Sequence, residues 1–319
     1  MNNNVLIEFI GHNDLFFSLQ KVLNDLNYNV YSVDFNDTSY KQFNYSKDTN
    51  LADHHVYQIE DCNVSYLTLE QYKSKNFKFI ISTNKENREF FFKLHQLHKD
   101  SIYINQILNV MEYPEYTKNA MMGFYKSFYE EGNNVLSFIP EHRDYFKPNF
   151  SCKKENTVIA CESYVHKGIP ITMKYLNNFK NNLTNYNFEV FIPNIKNKDL
   201  PEFFSTKKFV LHPKNNDGFF IREAMCCGLI PIMDSRMFDS TCDNKGNCMQ
   251  HMLQYAYCKD KVNYIDLNPD KRPWEETYEI LREYGDNFIQ KSKEAYEYTR
   301  EHMNFDVERS KIKNWLDKL

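Results

Sequence analysis

Phe209-Val210-Leu211-His212-Pro213-Lys214-Asn215-Asn216-Asp217-Gly218-Phe219-Phe220-Ile221-Arg222-Glu223-Ala224-Met225-Cys226-Cys227-Gly228-Leu229-Ile230-Pro231-Ile232 is the stretch from which the fold is read. Its apolar opening predicts a strand, the polar run from Pro213 to Asp217 a loop, the segment from about Gly218 a helix, and Leu229 onward a second buried strand. Asp217 is placed to accept from the free N–H groups of the helix start, and Gly228 suits the left-handed residue that stops a helix. Gly218 has no side chain and lets a ligand come close to the backbone. Exposed N–H groups and the dipole at such a start form a cradle for a diphosphate. Glu223, about one turn in, is placed to accept hydrogen bonds from ribose hydroxyls.

The same alternation recurs on either side. Val5 to Ile10 predicts a first strand, ending in Gly11-His12-Asn13-Asp14, and Leu15, Phe16, Leu19, Val22, Leu23 and Leu26 then repeat at helical spacing before a strand from Val30 to Phe35. Asn36 to about Lys75 has no clear period and is expected to be irregular, with at most one strand. Phe77 to Ser82 reads as a strand, Phe90, Phe91, Leu94 and Leu97 as one helix face, Ile102 to Leu108 as a strand, Tyr116 to Tyr129 as a helix, and Val135 to Ile139 as a strand. A second series follows: strand Thr157 to Cys161, helix Ile169 to Phe179, strand Phe188 to Ile192, then the segment quoted above. The charged tail from Trp274 to Leu319 has a helical pattern. Strand, helix and strand joined by short links force parallel pairing. The expectation is therefore an α/β chain of two Rossmann-like domains facing a cleft, with ligands at the carboxyl ends of the strands.

Composition narrows the function classes. With 319 residues, 42% of them hydrophobic and 26% charged, the chain has length for two globular domains and is not a disordered protein. Lys and Arg number 39 against 43 Asp and Glu, so net charge supplies no overall case for binding DNA or an anionic membrane. The start, Met1 to Asp14, reads as a strand rather than a signal peptide, and no apolar run approaches the roughly 18 residues of a membrane span. Eight cysteines without a secretory leader read as reduced thiols, which predicts a cytoplasmic protein, in the host cytoplasm if the chain is viral. Cys242, Cys248, His251 and Cys258 lack the tight Cys-x2-Cys knuckle of a zinc site, so no metal is expected, and Cys226 and Cys227 read as packing residues.

Gly218 to Ile232 resembles the helix-and-strand signature of the large family of nucleotide-sugar glycosyltransferases with the GT-B fold, which reads roughly E-G-F-G-L-P-V-L-E-A-M-A-C-G-x-P-V-I; here Glu223-Ala224-Met225-Cys226-Cys227-Gly228 and Pro231 carry it. Val135 to Pro148, ending Arg143-Asp144-Tyr145-Phe146-Lys147-Pro148, is similar to the family's interdomain segment. Thr157 to Gly168 resembles the strand-loop-helix whose Lys touches the donor phosphates, here Lys167. Together these matches cover about a third of the chain. Two departures stand out: Cys161 occupies the place of an expected Arg, and Asn215 that of an expected acid. Arg222 or Lys214 is then the candidate to restore positive charge, and Asp217 the candidate acid if the loop is two residues shorter.

The resemblance implies an acceptor domain over 1–145, a nucleotide-sugar donor domain over 146–295, and a C-terminal helix, 296–319, returning to the first domain. It implies transfer of a sugar from a nucleotide-diphosphate sugar to a glycan, a protein or a modified DNA base, with retention of configuration, no metal and no cofactor beyond the donor. Catalytic roles fall to Lys167, Asp217 and His12; donor binding to Gly218, Phe219, Phe220, Arg222, Glu223 and His212; and acceptor binding to Gly11 and Asn13, with Asn105 or Gln106 as a further polar residue near the donor. A catalytically silent nucleotide-sugar binding protein is the alternative, suggested by Cys161 and Asn215. A dinucleotide-dependent oxidoreductase is disfavoured because Gly11-His12-Asn13-Asp14 has no G-x-G-x-x-G.

Overall fold

The computed structural model describes residues 3–7, 13–34, 36–43, 64–82, 88–107, 119–122, 125–127, 134–137, 146–161, 170–191, 199–212, 218–235, 250–252, 258–302 and 305–319. The chain divides into two compact units, one of Met1–Pro140 with Asp306–Leu319 and one of Glu141–Phe305.

The first unit is built on strands β1 (Asn4–Ile7), β2 (Asn29–Val33), β3 (Val64–Leu67), β4 (Phe79–Ser82), β5 (Ile102–Ile107), β6 (Asn119–Met122), β7 (Tyr125–Ser127) and β8 (Asn134–Ser137). Seven of them form one parallel sheet in the order β3-β2-β1-β4-β5-β6-β8. Helices α1 (Asn13–Asp25), α2 (Leu69–Lys73) and α3 (Arg88–His95) supply crossovers. Asn27, at φ 61°, stops α1: Tyr28 N–H reaches Leu23 O and Asn27 N–H reaches Asn24 O, the paired bonds of a Schellman end. Central strands read as unbroken apolar runs because both faces are covered; Val5, Leu6, Ile7, Ile80 and Ile81 are fully buried.

Two sequence expectations for this unit need correction. The stretch from Asn36 to Lys75 is more ordered than its pattern suggests: it holds a 3-10 turn (Thr38–Phe43), β3 and α2. Its signals are polar contacts, some local and some across many positions. Thr68 and Gln71 form a capping box, and Asp37 Oδ2 accepts from Leu69 N–H at 2.7 Å. Tyr40, the largest apolar contribution of the turn, is fully buried, with its OH donating to Leu67 O at 2.9 Å. The helix expected over Tyr116 to Tyr129 is instead β6 and β7. Met121 is fully buried and β6 is paired on both sides, to β5 and to β8. A run of four residues is too short for alternation to mark it as a strand, and ladder bonds to two neighbours outweigh intrinsic helix preference.

The second unit carries β9 (Thr157–Cys161), β10 (Asn187–Phe191), β11 (Phe209–His212), β12 (Ile230–Met233), β13 (Gln250–Met252) and β14 (Ile265–Asp266). Five of these form a parallel sheet, ordered β10-β9-β11-β12-β14. Its helices are α4 (Pro170–Asn182), α5 (Leu200–Ser205), α6 (Gly218–Cys226), α7 (Trp274–Asp286) and α8 (Phe288–His302). Phe179, Phe209, Ile230, Ile232, Leu281 and Phe288 lie in one core cluster, with Trp274 against Phe179. The last helix, α9 (Phe305–Leu316), belongs from Asp306 to the first unit, where Ile312 and Leu316 are buried and Arg309 pairs with Asp25 at 3.2 Å.

Candidate donor site at the switch point of the second sheet

In the second sheet β9 lies between β10 and β11, so the chain order reverses across the β9–β11 pair. Crossovers on the two sides of such a point leave to opposite faces and open a crevice beyond the carboxyl ends of the strands. β9 ends at Cys161 and the chain re-enters regular structure at Pro170 in α4; β11 ends at His212 and α6 starts at Gly218. The expected donor set is therefore distributed over the two connections that flank one switch point. Lys167, Lys214, Asn215 and Asp217 lie outside the described residues. Gly218, Phe219 and Phe220 form the first turn of α6, and His212 is the last residue of β11.

The part of α6 that is described is buried on all sides. Ile221 is 0% exposed, Arg222 3%, Glu223 9%, Ala224 0%, Met225 2% and Cys226 5%. A helix with no solvent face has to carry its charges internally, and a buried ion is costly unless neighbouring groups or a ligand satisfy it. Arg222 and Glu223, adjacent in sequence, thus place one cation and one carboxylate in the buried body of a helix that opens on Gly218. Burial raises the Cys227 thiol pKa above its ordinary range, and the Glu223 carboxylate one turn earlier pushes it the same way. Cys227 is accordingly an inert packing thiol, like the buried Cys226 beside it.

The other end of α6 is fixed by backbone geometry. Leu229 N–H bonds to Ala224 O at 2.9 Å and Gly228 N–H to Met225 O at 3.0 Å, with Gly228 at φ +83°. Ser292 Oγ of α8 donates to Gly228 O. Pro148 and Phe150, from the start of the second unit, press on the same glycine. Phe146, from the segment resembling the family's interdomain piece, is 2% exposed, and Lys147 N–H donates to the Cys227 sulfur.

In the first unit the order reverses at the β1–β4 pair. β1 ends at Ile7 and α1 begins at Asn13, which stands as the first residue of that helix; Gly11 and His12 lie outside the described residues. Asn105, near the carboxyl end of β5, is fully buried. Its Oδ1 accepts from Ser82 Oγ at 2.7 Å and from Tyr103 OH at 3.1 Å, which ties the end of β4 to β5. Gln106 is the next residue of β5.

Sequence reasoning missed a polar cluster at the carboxyl ends of β12 and β14. Asp266 is fully buried, and its Oδ1 accepts from Ser235 N–H at 2.9 Å and Asn268 N–H at 3.0 Å; Oδ2 takes Lys271 Nζ at 2.8 Å. Burial raises its pKa, but the bonds from Lys271, Ser235 and Asn268 outweigh that and hold the carboxyl below its ordinary value. Asp260 accepts from Asp266 N–H at 2.8 Å and pairs with the buried Arg272. The cluster fixes where the chain leaves β12. The signal in the sequence is Asn263 to Arg272, an acid-and-amide run around the short strand β14, which also describes an ordinary turn.

No family model and no curated protein matches the chain. Solved structures do match over nearly its whole length. An alpha-glucosyltransferase in complex with UDP and a 13-mer DNA containing an HMU base aligns with 98% of this chain and 99% of its own, at TM-score 0.61 and 10% identity. A glycosyltransferase from Rickettsia africae covers 99% of this chain and 98% of its own, at TM-score 0.57 and 10% identity. Anabaena HepE, in complex with UDP and glucose, aligns over 100% of both chains at TM-score 0.55 and 11% identity. This chain has the GT-B fold, with two parallel-sheet α/β units.

Proposed function

We propose that the protein is a glycosyltransferase that takes a sugar from a nucleotide-diphosphate sugar and passes it to an acceptor, with the donor at the start of α6. The observation that carries this reading is the conjunction at one switch point: a helix opening on Gly218 directly after β11, and Arg222 and Glu223 buried in its first turns. Amide N–H groups at the helix start favour the diphosphate, and Glu223 suits ribose hydroxyls. Lys167, from the connection after β9, and Arg222 offset the charge that grows on the leaving diphosphate as the glycosidic bond breaks; His212 and Asp217 flank the sugar. His12, Gly11 and Asn13, after β1, belong to the acceptor side. The reaction is retaining and needs no metal in this scheme, because positioning and fixed charge carry the leaving-group stabilisation. The neighbours bound to UDP support a uridine donor, and the one bound to DNA keeps a modified base among the acceptors beside a glycan or a protein.

The test is a panel of UDP-, GDP-, ADP- and TDP-sugars, scored for released nucleotide with and without candidate acceptors, and for thermal stabilisation. Release from one donor supports the enzyme. Stabilisation without release under all acceptors favours the silent binding protein, the reading to which Cys161 at the end of β9 lends weight. Neither release nor stabilisation by any donor would overturn both.

A further inference from the structure

The second unit carries a basic pocket at the opposite end of its sheet from the α6 start. The pocket, open and of about 430 Å³, lies before the first residues of β9 and β11 and against the corner between α7 and α8. Lys153, Lys154 and Lys208 line it against one carboxylate, Asp286. A fourth ammonium, Lys293 Nζ, stands 5.6 Å from the ring centroid of Phe150, another lining residue. Strands of four or five residues rise about 13–16 Å, so this pocket and the donor cradle are separate.

Lys154 and Lys208 are half-buried, and both donate to neutral oxygens. Lys208 Nζ donates to Asn156 Oδ1 and Gly285 O, both at 2.6 Å, and Lys154 Nζ to Ser205 O. Among the described residues neither ammonium is in an ion pair. Burial pushes the pKa of each downward, and Asp286 offsets this in part for Lys208. Last-turn carbonyls of α5 and α7 satisfy some of their donors, which is the structural role of these lysines, but leave the positive charge of the pocket standing. The first turn of α8, a 15-residue helix, closes the pocket with Phe288, Ile289 and Gln290, the helix end that favours negative charge.

We propose that this pocket binds the phosphate or diphosphate group of a small molecule, as an anion site independent of the donor site. The volume falls in the range of small-ligand pockets. Two of the four cations, Lys154 and Lys208, are half-buried, which suits a small anion entering the pocket better than a stiff duplex backbone, and the chain as a whole carries a formal charge of −4, which does not recruit a polyanion.

Inorganic pyrophosphate titrated calorimetrically into the full chain at fixed ionic strength tests the proposal. Wild type is expected to bind saturably. Lys153→Gln with Lys293→Gln, both on exposed side chains that cap no helix, should weaken binding about tenfold while circular dichroism stays unchanged. Lys208→Gln should weaken it further, and Lys167→Gln, which removes a cation assigned to the donor diphosphate, should leave this binding intact. Absence of saturation up to about 10 mM overturns the proposal. So does an affinity unchanged in the Lys153/Lys293 double variant, or lost only with Lys167→Gln, which places the anion at the donor cradle. Binding of duplex DNA but not of pyrophosphate also overturns it. Failure of every sugar donor leaves these outcomes readable, because none depends on turnover.

Discussion

Gly228→Ala is the sharpest perturbation of the helix that carries the candidate donor site. The residue stands at φ +83°, where an L side chain meets its own carbonyl at a cost of about 1–2 kcal/mol. A Cβ built there lies 2.9 Å from Ser292 Oγ, 3.0 Å from Pro148 Cβ and 3.5 Å from Phe150 Cε1. Ser292 cannot simply turn away, because its hydroxyl donates to Gly228 O; Pro148 is held by its ring. Overpacking of this kind adds about 1–3 kcal/mol, so a total near 2–5 kcal/mol is expected. The two tryptophans make the assay specific: Trp274 belongs to the second unit and Trp315 to the first. In a Trp315→Phe background, urea unfolding followed by Trp274 fluorescence reports the second unit, where Trp274 packs against Phe179. Two controls separate the terms. Gly228→Asn keeps the crowding but relieves backbone strain, and adding Ser292→Ala to Gly228→Ala removes the 2.9 Å contact but not the strain. A Gly228→Ala midpoint within about 0.5 kcal/mol of the parent would refute the reasoning.

Three further outcomes follow from the same geometry. Glu223→Gln should raise the dissociation constant of a UDP-sugar by about 10- to 100-fold, the worth of hydrogen bonds to a charged acceptor, in variant protein whose circular dichroism matches the parent; unchanged donor affinity would remove Glu223 from the site. Asp266 has a folded-state pKa below its ordinary value, so its stabilisation is present above about pH 4 and fades as pH falls through the folded value. Asp266→Asn should flatten the acid limb of the pH–stability profile of the second unit, and a profile identical to wild type would show that Lys271, Ser235 and Asn268 do not hold that charge. Gly285→Ala in α7 should destabilise by about 2 kcal/mol or more despite alanine's better helix propensity, because the Tyr186 OH, donating to Leu281 O at 3.0 Å, occupies the space of the added Cβ; a stabilised variant in the same urea assay counts against that packing.

Legibility of the sequence tracked the range over which each signal acts. Thr157–Cys161 was readable as β9 residue for residue, and the Phe209 to Ile232 segment resolved into β11, α6 and β12 within a residue or two, because apolar runs, a helix-stopping glycine and short links are local. β6 was misread as helix because what makes it a strand is its position between β5 and β8, a non-local fact. The 3-10 turn and α2 escaped because polar contacts hold them, Asp37 to Leu69 N–H across 32 positions among these. The Asp266 cluster escaped for the same reason, since Ser235 and Asp266 are 31 positions apart.

The site divides along the same line. The helix start near Gly218 follows from a local pattern, and the helix runs from Gly218 to Cys226 with Glu223 inside it. The burial of Arg222 does not follow from any pattern, because the GT-B signature carries an apolar residue at that position and a cation there reads first as a solvent-facing side chain. Sequence order around a switch point supplies what periodicity cannot. Once β9 and β11 are neighbours with their helices departing on either side, the connections holding Cys161, Lys167 and Asp217 lead away from the same end of the sheet as the α6 start. Under the proposed donor placement, a missing cation at Cys161 and an added one at Arg222 would bear on one electrostatic centre, not on two unrelated positions. Restoring Cys161→Arg should therefore tighten donor binding less in wild type than in an Arg222→Leu background. Equal gains in the two backgrounds would show that the two positions act independently.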